Sequence, residues 1–372
     1  MHFVANSKVS LVKSLSKLTP IIRSNSKAAP ILQGILIEAV EYGVYMAAVS
    51  ASSTVWTFVP DCEVTRVGRC VVDYARFKDR LTKTGNSPMF ELVGDSLVMS
   101  STDDQRLGLS VLNLDSFPIP SRDLPDESYK VPVPTLRRLL DASIEVTRDI
   151  SPLTPLFLQV AIRGGLVTAT TGAMYRELPV DINSSLDTSI PTAYLNTVKA
   201  FISNVDDNDS VWVSQVEGQD VVIVTGEDYL KIRALTNPMP DLSQTFTQAT
   251  ILATQEIVLD RKHLISILQD AKSSASSSGV VTVTIDGMGL GELKVTASNE
   301  LGDWFESAMS CVWTGKSEIS LRFRVDSLIS FLKTFMADRI TLYVGESSNG
   351  RPTPIVCSEE DGRGIINQFV VG

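Results

Sequence analysis

Hydrophobic positions along this chain change period at regular intervals. A short apolar run gives way to apolar residues spaced three and four apart, and then to further short runs rich in valine, isoleucine and aromatic residues. The first pattern predicts a strand, the second an amphipathic helix and the third antiparallel strands. The plan opens at His2-Phe-Val-Ala with a helix near Lys8–Leu18. It returns at Tyr129-Lys-Val-Pro-Val with Thr135–Ile144, and at Glu256-Ile-Val-Leu with Arg261–Lys272. Each stretch holds a second copy: Cys70-Val-Val leads into Tyr74–Lys83, Ser189-Ile-Pro into Tyr194–Ser203, and Ile319-Ser-Leu-Arg-Phe into Asp326–Met336. Six strand–helix–strand units of about 60 residues fill the chain, and an internal repeat of this kind predicts a ring or an array of modules.

Between the helices lie runs such as Gly34–Val40, Gly43–Val49, Ser53–Val59, Ser210–Val216, Asp220–Thr225 and Gly279–Ile285. Turn residues separate these runs, so helices are expected on one face of antiparallel sheets, an α+β layer plan. Two proline-rich segments, Asp115–Pro125 and Thr236–Gln244, fall where the period breaks and read as linkers. The expected domains are 1–126, 127–248 and 249–372, each holding two units and each of ordinary domain size.

Charge sharpens this picture. The chain carries −10 overall, yet the six helix windows 7–18, 73–84, 134–145, 192–203, 260–272 and 325–336 hold 14 Lys and Arg against 7 Asp and Glu. The helices are therefore at about +7 and the rest at about −17, a segregation suited to a protein with one surface facing phosphate. At 100° per residue, Lys13 and Lys17 project opposite the Leu11–Leu15–Leu18 stripe. Lys262 and Lys333 lie outside the core stripes of their helices, Arg138 sits opposite Leu136 and Leu140, and Arg76 and Lys83 lie off the Phe77–Leu81 stripe. Lys199 falls near the edge of its apolar face. A solvated helix face is the plain alternative for any one of these.

Other chemistry is sparse. The four cysteines, Cys62, Cys70, Cys311 and Cys357, lack metal-site spacing and read as buried free thiols. The only histidines are His2 and His263, and no Gly-x-Ser-x-Gly elbow occurs. Gly287-Met-Gly-Leu-Gly reads as a hairpin turn, since it lacks a phosphate-binding Gly-Lys-Ser/Thr. No enzyme, cofactor or metal site is expected. No apolar run reaches the roughly 18 residues of a membrane span, and the first residues lack a signal-peptide pattern. A cytoplasmic location follows as the expectation.

The order of elements and several short motifs resemble the bacterial DNA polymerase III beta subunit, the sliding clamp. The motifs are His2-Phe-Val-Ala, Ala29-Pro-Ile-Leu-Gln-Gly-Ile-Leu-Ile, Leu114-Asp-Ser-Phe-Pro, Val167-Thr-Ala-Thr-Thr-Gly, Asn237-Pro-Met-Pro-Asp and Leu293-Lys-Val-Thr-Ala-Ser-Asn. The resemblance runs nearly end to end. It implies three copies of one α+β clamp domain per chain, two chains closed head to tail, and helices lining a channel around duplex DNA. The implied partners are double-stranded DNA, without sequence preference, a DNA polymerase, a clamp loader and a second copy of the chain. The implied location is at the nucleoid. A clamp-fold scaffold for proteins that does not encircle DNA is the alternative.

The resemblance also implies sites. Lys27 lies near a basic DNA-contacting position of the family. A hydrophobic pocket for partner peptides maps onto Leu156, Thr170, Thr171, Gly172, Met174, Tyr175, Pro240 and Leu242, with Phe369, Val370 and Val371. Three departures stand out: Thr171-Gly-Ala-Met-Tyr-Arg replaces the usual Asp-Gly-His-Arg-Leu type, Gln244 replaces an Arg, and the chain ends at Val370-Val-Gly. A phage-encoded or otherwise divergent clamp fits these. For ring closure the strand side is Leu107 and Leu109. The family's apolar helix pair is replaced by Lys272-Ser-Ser-Ala-Ser-Ser-Ser, so the helix contact is expected to shift to Ile267 or Leu268, or the ring to be weaker.

Overall fold

The computed structural model describes residues 1–372 except 25–28, 102–104, 123–124, 126, 149–153, 182–185, 217–219, 236, 288, 346–352, 360–361 and 369–372. The described residues fall into two compact units, Met1–Arg137 with Ala193–Thr236, and Arg138–Thr192 with Asn237–Gly372. The middle sequence repeat is thus shared between them, half its strands in each.

The first unit is built on one antiparallel sheet. It holds β1 (His2–Ala5), β2 (Gly34–Val40), β3 (Gly43–Val49), β4 (Ser53–Val59), β5 (Cys62–Arg66), β6 (Gly68–Asp73), β7 (Met89–Val93), β8 (Ser96–Ser100) and β9 (Arg106–Leu112). β10 (Tyr129–Pro132), β15 (Ser210–Gln215), β16 (Val221–Thr225) and β17 (Asp228–Ile232) extend it, joined through β17 and β4. The helices here are α1 (Lys8–Ser24), α2 (Tyr74–Thr82) and α4 (Leu195–Phe201). α1 packs on β3, β4 and α4, and α2 on β6 and β9. α1 runs past the expected end at Leu18 and through Pro20. A proline there costs about 3 kcal/mol, and burying Ile21 recovers about 1.5–3 kcal/mol of that.

The second unit repeats the design. Its sheet takes β11 (Gln159–Arg163), β12 (Leu166–Thr170), β13 (Met174–Pro179) and β14 (Asp187–Pro191). The remaining strands are β18 (Gln255–Asp260), β19 (Val280–Asp286), β20 (Gly289–Ser298), β21 (Trp304–Trp313), β22 (Ile319–Arg324), β23 (Arg339–Val344), β24 (Ile355–Glu359) and β25 (Gly362–Ile366). α6 (Arg261–Ala271) packs against α7 (Val325–Lys333). α3 (Val133–Thr147) contributes residues to both units. One helix was not expected from the sequence: α5 (Ser243–Leu252) begins inside the second linker and packs on β24 and β25.

Each unit contains one joint between repeats, and the two joints are alike. β17 pairs with β4 from Tyr229↔Trp56 to Ile232↔Ser53, and β25 pairs with β13 from Arg363↔Glu177 to Ile366↔Met174. The preceding hairpins close at Thr54 and Asp228 in the first case and at Tyr175 and Gly362 in the second. Counted from those turns, the two ladders have the same register.

The face of each joint opposite the helices is also covered in the same style. Strand side chains alternate between faces. In the first unit Tyr45, Trp56 and Tyr229 pack with Phe117 of the first linker, and Arg122 lies over Tyr45 at 4.0 Å and Trp56 at 4.7 Å. In the second, Tyr175 and Ile365 pack with Phe246 and Ala249 of α5, and Arg363 lies 4.0 Å over Phe246. Gly364, on the other side of β25, faces Phe331 and Phe335. The expected linkers are therefore packed covers.

Candidate functional site

The helix cations have two fates. Lys13, Arg76, Lys199 and Lys333 are exposed. Lys83 and Lys262 are exposed but ion-paired, at 2.8 Å to Asp79 and 2.8 Å to Asp338 respectively. Those ammonium groups hold both carboxyls below the usual aspartate range. Lys17 corrects the expectation of an outward cation. Its side chain is only 11% exposed and pairs with Asp228, which also accepts from the Phe58 amide at 2.8 Å. Because α1 lies against α4 and β4, the side of α1 that a lone helix would turn to water meets β17 instead. Arg138 is half-buried and donates to the Pro179 carbonyl at 3.5 Å. Lys27 lies outside the described residues.

Three further cations that the sequence counted with the basic faces are helix caps. Lys8 donates to the carbonyls of Thr82 (3.0 Å) and Thr84 (2.7 Å) at the end of α2. Arg137 donates to Ile202 (3.2 Å) and Val205 (2.7 Å) after α4. Arg261 donates to Ala337 (2.7 Å) and Met336 (3.4 Å) after α7 and to Leu332 (3.5 Å) in its last turn. Each joins the first helix of a repeat to the last carbonyls of the second, where a cation also suits the helix dipole.

The residues expected to form a peptide pocket gather in the second unit. Thr170 Oγ1 donates to the Met174 carbonyl at 2.7 Å, and the Gly172 amide donates to Thr170 Oγ1 at 2.9 Å. Gly172 has φ +86° and lies against the Phe157 ring, where a Cβ would sit 3.0 Å from Cε2. Gln159, fully buried and missed at the sequence level, donates to the Leu156 carbonyl at 3.1 Å and the Asn237 carbonyl at 2.8 Å. It thereby ties Leu156, which is exposed, to the segment carrying Pro240 and Leu242.

Beside this turn lies a cavity of about 290 Å³ lined by Thr171, Met174, Val146, Ile366, Glu145 and Arg324, among others. Tyr175 points to the other face, where burial and the Glu177 carboxylate push its phenol above the ordinary range. Leu156, Pro240 and Leu242 do not line the cavity. Phe369, Val370 and Val371 lie outside the described residues.

The helix residues expected at the ring contact are core. Ile267 and Leu268 are 5% and 0% exposed, because they fall on the same stripe as Leu264 and Ala271. Leu109 is also buried and Leu107 half-buried, both facing the α2 side of β9. The large apolar side chains left in water are elsewhere, notably Trp304 (73% exposed) at the start of β21 and Leu301 (89%) in the turn before it. Among the described residues no group of three or more His, Cys, Asp or Glu could hold a metal ion, and no helix is long and apolar enough to cross a membrane.

No family model and no curated protein matches this sequence. Solved structures do match, end to end. A DNA polymerase sliding clamp from Bacillus subtilis superposes with a TM-score of 0.86 at 18% identity, covering 100% of both chains. The chain has the sliding-clamp fold. The DNA polymerase III beta subunits of Pseudomonas aeruginosa and Thermotoga maritima match with TM-scores of 0.84 at 15% and 16% identity, again covering 100% of both chains. Repeated α+β units with antiparallel sheets, read from the hydrophobic pattern, are thus the clamp architecture carried by a divergent sequence.

Proposed function

We propose that this chain is a sliding clamp: two copies close head to tail around duplex DNA and tether a DNA polymerase, which gains processivity from the tether. The observation carrying this reading is the full-length likeness to sliding clamps. The division into domains 1–126, 127–248 and 249–372 is supported by the equal register of the two joints. A ring holds DNA by topology and needs no base readout, so a few dispersed cations suffice and tight bidentate contacts would hinder sliding. Lys13, Arg76, Lys83, Lys199, Lys262 and Lys333 are the proposed contacts. Lys17 is left out because its charge is matched inside the protein. The cavity beside Thr171 and Met174 is the proposed seat for an apolar residue of a partner peptide. A clamp loader is the further partner such a ring requires, and the cell interior, at the nucleoid, is its place of work.

The test is retention on DNA. With a loader and a nicked circular plasmid, the protein should co-elute with DNA on gel filtration and be released when the circle is linearised. Changing Lys13, Lys262 and Lys333 together to Glu should lower retention several-fold while leaving the fold intact. Equal elution from circular and linear DNA would instead favour the scaffold reading, in which the clamp fold binds proteins without encircling DNA.

A further inference from the structure

The two joints are built alike at one end but are covered differently there. In the first, the Ser50 amide donates to the Ser53 carbonyl at 2.8 Å, and beyond β17 the Arg233 amide donates to the Ser52 carbonyl at 2.8 Å. In the second, the Thr171 amide donates to the Met174 carbonyl and the Asn367 amide to the Ala173 carbonyl, both at 2.9 Å. Ser53 pairs with Ile232 as Met174 pairs with Ile366, and Thr54 with Lys231 as Tyr175 with Ile365. Lys231 and Thr54 therefore stand where the second joint has Ile365 and Tyr175. There, that apolar pair lies under Phe246 and Ala249 of α5. Between β9 and β10 no α-helix forms among the described residues. Phe117 and Arg122 instead cover the pair two residues further along the first ladder, Trp56 and Tyr229, together with Tyr45.

The uncovered end of the first joint is a cavity of about 250 Å³ lined by the turn 50–54, Pro120, Ser121, Asp220, Lys231 and Arg233. Its chemistry is cationic. The Lys231 side chain is 42% exposed and lies 3.6 Å from Asp220, whose other oxygen accepts from the Ala234 amide at 3.3 Å. Arg233 is exposed and, among the described residues, pairs with no carboxylate. Two cations thus share one carboxylate that is already partly engaged by the backbone. The turn needs no ligand to hold its shape: Ser50 Oγ accepts from the Ser53 amide at 3.0 Å and the Ser52 amide at 3.3 Å, and Ser52 Oγ bonds the Tyr194 hydroxyl.

We infer that this cavity binds a carboxylate from an acidic segment of a partner protein. The Arg233 guanidinium is the anchor, Lys231 supplies the second charge, and the Thr54 and Ser121 hydroxyls are the further donors in the lining. The planar fork of an arginine takes a carboxylate through two parallel hydrogen bonds, which gives direction as well as attraction. The site lies wholly within the first unit, apart from the cavity beside Thr171 and Met174, and its occupation does not depend on two chains closing into a ring. The second joint cannot do the same at its equivalent end, because Ile365 and Asn367 stand there in place of Lys231 and Arg233.

Charge complementarity selects the partner. A basic segment would meet Lys231 and Arg233 head on, and like charges brought together at a contact are strongly disfavoured. Duplex DNA suits the place poorly. It carries one charge per roughly 1.7 Å of its axis, whereas the cavity offers two cations and one carboxylate. Residues opposite one another in an antiparallel pair share a face and alternate residues return to it, so Lys231 and Thr54 lie on the face of Trp56 and Tyr229, away from α1 and its exposed Lys13. Outside the helices the chain is acidic, which repels a long polyanion but lets one or two carboxylates reach a local pair of cations.

Fluorescence polarisation tests the site, with the full-length protein at low salt and a labelled octapeptide of alternating Glu and Gly as the probe. Binding is expected, and Arg233→Ser should weaken it at least about tenfold, as loss of a hydrogen-bonded charge does. Arg233→Lys keeps the charge but not the fork and should weaken it several-fold. Asp220→Asn should tighten it by releasing Lys231. Lys13→Ser removes the same charge from α1 and should change nothing. Equal weakening by Lys13→Ser and Arg233→Ser would mean diffuse attraction and overturns the site, as does a wild-type protein that fails to bind the peptide at millimolar concentration. Bound peptide should also slow hydrogen exchange of the amides in 50–54, and protection confined to other segments overturns the location. If Arg233→Ser weakens binding of linear duplex DNA and leaves the peptide unaffected, the cavity takes phosphate and the acidic partner is refuted. None of these readouts requires a closed ring, so this inference and the ring reading fail separately.

Discussion

At the residue scale, the same kind of side chain does opposite jobs on neighbouring turns of one helix. Lys13 is exposed, while Lys17, one turn on, is held against Asp228 with both side chains 11% exposed. Removing one partner of a buried pair leaves the other charged and unmatched, at about 3–5 kcal/mol. Lys17→Met should therefore lower the urea midpoint markedly. Lys13→Glu should move stability by only about 0.5 kcal/mol or less and act on DNA retention instead. The sequence could not separate the two. Helical projection puts both opposite Leu11, Leu15 and Leu18, and only the approach of Asp228, more than two hundred residues later, decides which is displayed. The same limit explains Ile267 and Leu268: their stripe was legible as core, and the expectation that they reach a partner drew on the family pattern rather than on that stripe. Their burial follows directly from the 3.6-residue period.

At the scale of elements, six of the seven α-helices among the described residues were legible because each carries an apolar stripe. α5 was not: its Ser-Gln-Thr-Phe-Thr-Gln-Ala-Thr run has few apolar positions and follows two prolines. It is helical because Phe246 and Ala249 pack on Tyr175, Val356 and Ile365, so tertiary burial overrides a weak local preference. The capping cations were visible as charges but not as caps. One is a lysine and two are arginines, and Lys8 and Arg261 open their helices whereas Arg137 lies a turn inside its own, so no common motif marks them. The bonds they make are nonetheless equivalent. Arg261→Ala should expose the α7 terminus and cost about 1.5–3 kcal/mol, the range for hydrogen bonds to a charged donor. Thermal unfolding measures the loss, and protection of the 334–338 amides against hydrogen exchange should fall with it.

At the scale of the whole molecule, a ring that holds DNA by enclosure should be insensitive to salt once closed. Binding through phosphate contacts weakens by orders of magnitude between 50 and 200 mM salt. A loaded circle washed in about 0.5 M salt should thus keep its protein, and loss of the protein in that wash would point to ordinary groove binding. The two in-chain ladders bear on how such an assembly comes apart. β17·β4 and β25·β13 are each backed by a covalent linker, so if either separates, its strands meet again at the high local concentration set by a short tether, on the order of millimolar. A contact between two chains has no such tether, and its halves recombine only at the concentration of free chains. Dilution therefore leaves the tethered joints closed and opens those between chains.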